Sequence, residues 1–104
     1  MVSIPTDVLV NVKKYIHELE HRGFTISDAY VFGSYASGAW NEWSDIDVAI
    51  ISKQFEGIRF LDKEKLRGIH RKIDLRISPL PFSPESFHQS ILYAEIVQHG
   101  FKIS

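Results

Sequence analysis

The chain has no cysteine among its 104 residues, which excludes disulfides and thiolate zinc sites and fits a reducing cytosol. It also lacks an excess of charge. Its net charge is −1, so nothing in the overall balance calls for nucleic acid or an anionic membrane as a partner. No apolar run approaches the length of a membrane span. The start, MVSIPTDVLV, has no basic segment followed by a long apolar run, so a secretory leader is not expected. Repeats, low-complexity tracts and linkers are absent as well. A single domain over residues 1–104 is expected, in the cytoplasm, with too little chain for a second substrate-binding domain. One further absence is local: no Lys or Arg occurs between Arg22 and Lys53.

What is present is a regular alternation of elements. Val8, Leu9, Val12, Ile16 and Leu19 recur at helical spacing and predict a helix from about Pro5 to Arg22. Ser3 or Ile4 precedes its first turn, Pro5 suits that turn, and Gly23 suits its stop. Ile26 to Phe32 reads as a strand ending at Gly33, and Ser34 to Ser44 as a turn that can hold one helical turn. Ile46 to Ile51 is the clearest strand. Lys53 to Gly57 reads as a loop and Phe60 to His70 as a helix with acids early and bases late. Ile73 to Ile77 alternates apolar and charged residues, as a strand does, with Asp74 and Arg76 on its polar face. Ser78 to Ser83, with two prolines, reads as a loop. Ser83-Pro84-Glu85 starts a last helix that Gly100 stops, and Phe101 to Ile103 fits a short edge strand.

Asp45 and Asp47 stand two apart at the start of a strand, so both carboxylates share a face. Such a pair repels itself unless a cation sits between the two groups. A hard cation such as Mg²⁺ takes oxygen ligands and suits them. Asp74 on a neighbouring strand would complete three carboxylates, enough to hold two Mg²⁺ for in-line displacement at phosphorus. Gly33-Ser34 supplies the other half. Glycine lets the chain turn after a strand, and a hydroxyl with free backbone N–H groups follows, a setting that suits phosphate.

The segment Gly33 to Asp47, GSYASGAWNEWSDID, resembles the G-S-x10-D-x-D signature of the DNA polymerase β-like nucleotidyltransferase superfamily. The short chain is similar to the minimal MNT members, antitoxins of HEPN–MNT pairs. The resemblance implies an α/β (α+β) nucleotidyltransferase fold: a small mixed sheet flanked by helices, which we place on one side. It implies that Gly33 and Ser34 bind phosphate, that Asp45 and Asp47 bind metal, and that Asp74 is the third metal-binding and catalytic carboxylate. It implies transfer of AMP from ATP to a hydroxyl, here a tyrosine of a HEPN toxin partner, with Mg²⁺ as cofactor; direct nucleic-acid binding is not expected from the charge balance.

The sequence departs from that pattern at one point. Small members carry an Arg shortly after Gly-Ser, and Ser37 stands in its place here. Arg59, Lys72 and Arg76 are candidates for the missing charge. This departure motivates an alternative: a weak or inactive domain that neutralises a toxin by binding alone.

Other signals rank lower. His17-Glu18-Leu19-Glu20-His21 spells H-E-x-x-H, the zinc-protease pattern. At roughly 100° per residue, however, both histidines fall opposite the apolar face. Trp40 and Trp43 read as a cover over the small sheet, with stacking on a base or a protein partner as the alternative. His70, His88 and His99 have no spacing that suggests a site.

Overall fold

The computed structural model describes residues 4–103. α1 spans Thr6–His21, with Pro5 at its N-cap and Arg22 at its C-cap, so the first helix lies where its periodicity puts it. The residue Ser3, considered as its lead-in, lies outside the described residues. Val8, Val12, Tyr15, Ile16 and Leu19 form its buried stripe.

Four strands follow: β1 (Asp28–Phe32), β2 (Ile46–Ile51), β3 (Ile77–Phe82) and β4 (Phe101–Ile103). They form one mixed sheet in the order β3-β2-β1-β4. β1 runs antiparallel to β2 and to β4, while β2 and β3 are parallel.

Period two divides β2 between two cores. Ile46, Val48 and Ile50 pack with α1, and Ala49 and Ile51 pack with Phe82, Phe87 and Ile96. Phe87 belongs to α4 (Pro84–Gln89) and Ile96 to α5 (Tyr93–His99). Helices therefore cover both faces of the sheet, which corrects the one-sided arrangement expected. A strand that is apolar on both faces needs cover on both.

Three further boundaries differ from the sequence reading. The third strand lies at Ile77–Phe82, not at Ile73–Ile77. Asp74 makes a turn instead: its Oδ1 accepts the Arg76 N–H at 2.9 Å, and its carbonyl accepts the Ile77 N–H at 3.2 Å. An aspartate that bonds the backbone two residues on favours a turn over a strand. The proline-bearing stretch is a strand because it lies on the sheet's edge. Arg76 and Phe82 carbonyls accept from Ile46 and Ser52, so the even-numbered residues face β2. Pro79 and Pro81 therefore sit at positions whose N–H would point away from the ladder.

The helix expected over Phe60 to His70 is split into α3 (Arg59–Lys65) and a 3-10 turn (Ile69–Lys72) by Gly68 at φ +75°. The last helix breaks at Ser90, whose hydroxyl accepts the Leu92 N–H at 3.0 Å and whose backbone is extended. Its start is as expected: Ser83 and Ser86 form a reciprocal capping box. Among the described residues, no helix is long and apolar enough to cross a membrane.

Candidate active site

β1 ends at Phe32, and the four-residue α2 (Ser34–Ser37) begins two residues later. Between them Gly33 turns the chain at φ +74°, ψ −145°, a region essentially closed to other residues. Phe32 pairs with Asp47 across the ladder, and the Asp47 carboxylate lies against Gly33. A Cβ at position 33 would overlap Asp47 Oδ2. Glycine is thus required twice, by its backbone angles and by the side chain above it. The Ala36 and Ser37 N–H groups donate back to the Gly33 carbonyl at 3.1 and 3.0 Å. The N–H groups of Ser34 and Tyr35, first in the turn, have no acceptor within it. Ser34, partly exposed, directly follows the glycine that Asp47 lies against.

Asp45 and Asp47 share the face of β2 that carries Ala49 and Ile51. Asp47 is half-buried, and its pKa is raised, first by burial and then by the charge of Asp45. Burial and the Asp45 charge are both costs to the ionised carboxylate that a bound cation would offset. The donor set fits Mg²⁺, which binds through one or two carboxylates and fills its shell with water and substrate phosphate.

The three-carboxylate cluster does not form. Among the described residues, no group of three His, Cys, Asp or Glu side chains could hold a metal. Asp74 is engaged elsewhere, on the α1 side of the sheet. Its carboxylate accepts from Arg76 Nη2 at 2.7 Å and Nε at 3.0 Å, and from Asn11 of α1 at 3.1 Å. Arg76 also meets Asp7 of α1 at 3.5 Å and donates to the Tyr35 hydroxyl at 3.4 Å. The Asp74 side chain is only 7% exposed. The Arg76 guanidinium holds its pKa down to about 2, against the opposing effect of burial, with help from the Arg76 N–H and Asn11. A second Mg²⁺ therefore has no third protein carboxylate to bind it among the described residues.

The connection from α2 to β2 is fixed by two devices. Trp40 stacks on Tyr35, with ring centroids 5.3 Å apart and planes 6° from parallel. Asn41 Oδ1 accepts the Trp43 N–H at 2.8 Å, turning the chain toward Asp45. Trp40 thus acts as a cover, but Trp43 does not. It is 86% exposed beside the carboxylates. His17 and His21 are both exposed, and no third ligand joins them among the described residues.

Of the three basic candidates, Arg76 is paired with two aspartates, and Arg59 lies 5.9 Å over the Phe82 ring. Lys72, in the 3-10 turn behind Asp74, is exposed. The structure brings two other polar groups to the turn: Glu95 and His99 of α5 line a cavity together with Gly33 and Ser37. No linear spacing could have found them, because the β1–β4 pairing is what brings the end of α5 beside Phe32.

The family model of the nucleotidyltransferase domain matches residues 9–96, which includes all five residues singled out from the sequence. Solved structures match as well. One, from Sulfolobus solfataricus and provisionally assigned as a nucleotidyltransferase, is 18% identical. It matches with a TM-score of 0.66 over 91% of this chain and 78% of its own. That likeness extends the shared fold to most of the molecule. No curated protein matches the chain. With Gly33-Ser34 and Asp45-x-Asp47 brought together on such a fold, and the family model spanning most of its length, the chain belongs to the nucleotidyltransferase domain family.

Proposed function

We propose that the chain transfers AMP from ATP to a hydroxyl on a partner protein, a tyrosine of a HEPN-type toxin, and so acts as an antitoxin. The observation that carries the reading is the seating of the Asp47 carboxylate on Gly33, which joins the phosphate-binding turn to the metal-binding pair. In this reaction the acceptor oxygen bonds to the α-phosphorus as the bond to the bridging oxygen breaks. Pyrophosphate leaves with the electron pair, and the acceptor's proton passes to water. Mg²⁺, when bound, neutralises charge on the phosphates. Asp45 and Asp47 would hold it, while the Ser34 hydroxyl and the N–H groups of Ser34 and Tyr35 would bind and orient the phosphate oxygens. Asp74 contributes indirectly, by holding Arg76 against Tyr35 and so fixing the underside of α2.

The protein and its genomic neighbour, incubated with labelled ATP and Mg²⁺, should yield a labelled partner. The Asp45→Asn/Asp47→Asn variant should yield none. An unlabelled partner, or equal labelling by that variant, would sink the proposal. A second reading, neutralisation by binding alone, is favoured by the engagement of Asp74 with Arg76. It requires that toxin neutralisation survive without ATP.

A further inference from the structure

The phosphate turn has no basic side chain of its own. No Lys or Arg lies between Arg22 and Lys53, and Arg76 is held by Asp74 and Asp7. A polyphosphate at Gly33-Ser34 still needs cationic donors. The side of the turn facing α5 is open. There a cavity of about 500 Å³ lies between α2 and the end of α5, with Ser37 on one wall and Glu95 and His99 on the other. Beside it is a separate crevice of only about 10 Å³, where Gly33 meets Ser37, Glu95 and His99.

We infer that the β- and γ-phosphates of a nucleotide bound at the Gly33-Ser34 turn lie on its α5 side, and that His99 is their contact there. The inference rests on the nucleotidyltransferase reading of the site.

Three features support it. The register pairs Phe32 with Asp47 and Val31 with Phe101, so Gly100 lies two strands from Asp47, about 10 Å across the sheet. That places His99 on the same end of the sheet as the carboxylate pair. His99 is in the last turn of α5, where the exposed carbonyls favour a cation. Glu95 and His99 are the cavity's ionisable groups among the described residues. The walls from α2, β1, β4 and the segment before α1 carry none. Where Ser37 leaves a short side chain, the opposite wall supplies the His99 imidazole, next to the Glu95 carboxylate.

The test measures binding of Mg²⁺ with ATP, with inorganic pyrophosphate and with AMP by calorimetry. His99 is exposed, so His99→Gln should fold normally. It should weaken ATP and pyrophosphate roughly tenfold, the size of one charge-assisted hydrogen bond, and leave AMP within about twofold. Adding Ser37→Arg to His99→Gln should restore ATP binding. Unchanged ATP binding in His99→Gln overturns the inference, as does equal loss for AMP, which would make the cavity a nucleoside site. If Asp45→Asn/Asp47→Asn abolishes ATP binding while His99→Gln does not, only this inference falls. If the wild type binds no Mg·ATP, the reading beneath it falls too.

Discussion

Gly33→Ala tests the geometry of the site most directly, because two separable costs meet at one atom. The first is the backbone: a side chain held at φ +74°, ψ −145° costs about 1–3 kcal/mol. The second is the overlap of the new Cβ with Asp47 Oδ2, which forces Asp47 off its rotamer at about 0.5–1.5 kcal/mol. Together they predict a loss of about 1.5–4.5 kcal/mol, or a fall in melting temperature of roughly 6–36 °C for a domain of this size. Gly68→Ala is the control. Its φ is also positive, at +75°, but nothing lies within 4 Å of its Cβ, so only a backbone cost of about 1–2 kcal/mol applies. The two costs separate in a double-mutant cycle by urea denaturation. In the Asp47→Ala background the overlap is gone, and Gly33→Ala should cost about 1 kcal/mol less. Gly68→Ala should show no such coupling. Additivity of Gly33→Ala and Asp47→Ala within about 0.5 kcal/mol would refute the claim that Asp47 sits on this glycine.

Three further outcomes follow from the same structure. Asp47 has a raised pKa, so the folded state binds its proton more tightly than the unfolded chain does. Its ionisation therefore removes stability as pH rises through the folded pKa. Asp47→Asn should melt higher than wild type at neutral pH and lose that advantage below about pH 4, the unfolded carboxylate value; a lower melting temperature at pH 7 would contradict this. Asp74, held down to about 2, acts in the opposite sense. Its contribution is present above the unfolded pKa and is lost as pH falls toward about 2, so Asp74→Asn should destabilise at pH 7 by about 1–3 kcal/mol. Mg·ATP affinity should survive in that variant, whereas loss on the scale of Asp45→Asn would restore Asp74 as a metal ligand. Finally, Trp40→Ala should cost about 0.5–1.5 kcal/mol through its stack on Tyr35, and Trp43→Ala less than about 0.5 kcal/mol in denaturant melts. Reversed magnitudes would overturn the contrast drawn between the two tryptophans.

The parts of the molecule legible in the sequence were those whose cause is local. The buried stripe of α1 repeats over several turns, and Gly33-Ser34 and Asp45-x-Asp47 sit at strand ends that their neighbours define. Asp74 was misplaced because Ile73-Asp74-Leu75-Arg76-Ile77 alternates like a strand, while the aspartate side chain competes for the backbone and makes a turn. The prolines at 79 and 81 looked like a loop because the permissive feature, an open sheet edge, is a property of the strand order. Cover on both faces was readable in principle: β2 is apolar at nearly every position, not at alternate ones. His99 was not readable, because only the β1–β4 pairing carries it to the phosphate turn.

The outer side of β3 has a consequence for how this protein can meet others. Along that edge the Ile77 N–H is taken by the Asp74 carbonyl, Pro79 and Pro81 have none, and the Ser83 N–H is taken by the Ser86 hydroxyl. An incoming strand would find carbonyls to donate to but no donor in return, so this side of the sheet is closed to extension by another chain. Backbone recruitment is left to the three residues of β4, at the opposite edge. On the β3 side, partners must be recognised through side chains, and the sequence of a partner, rather than its readiness to form a strand, decides whether it is bound there.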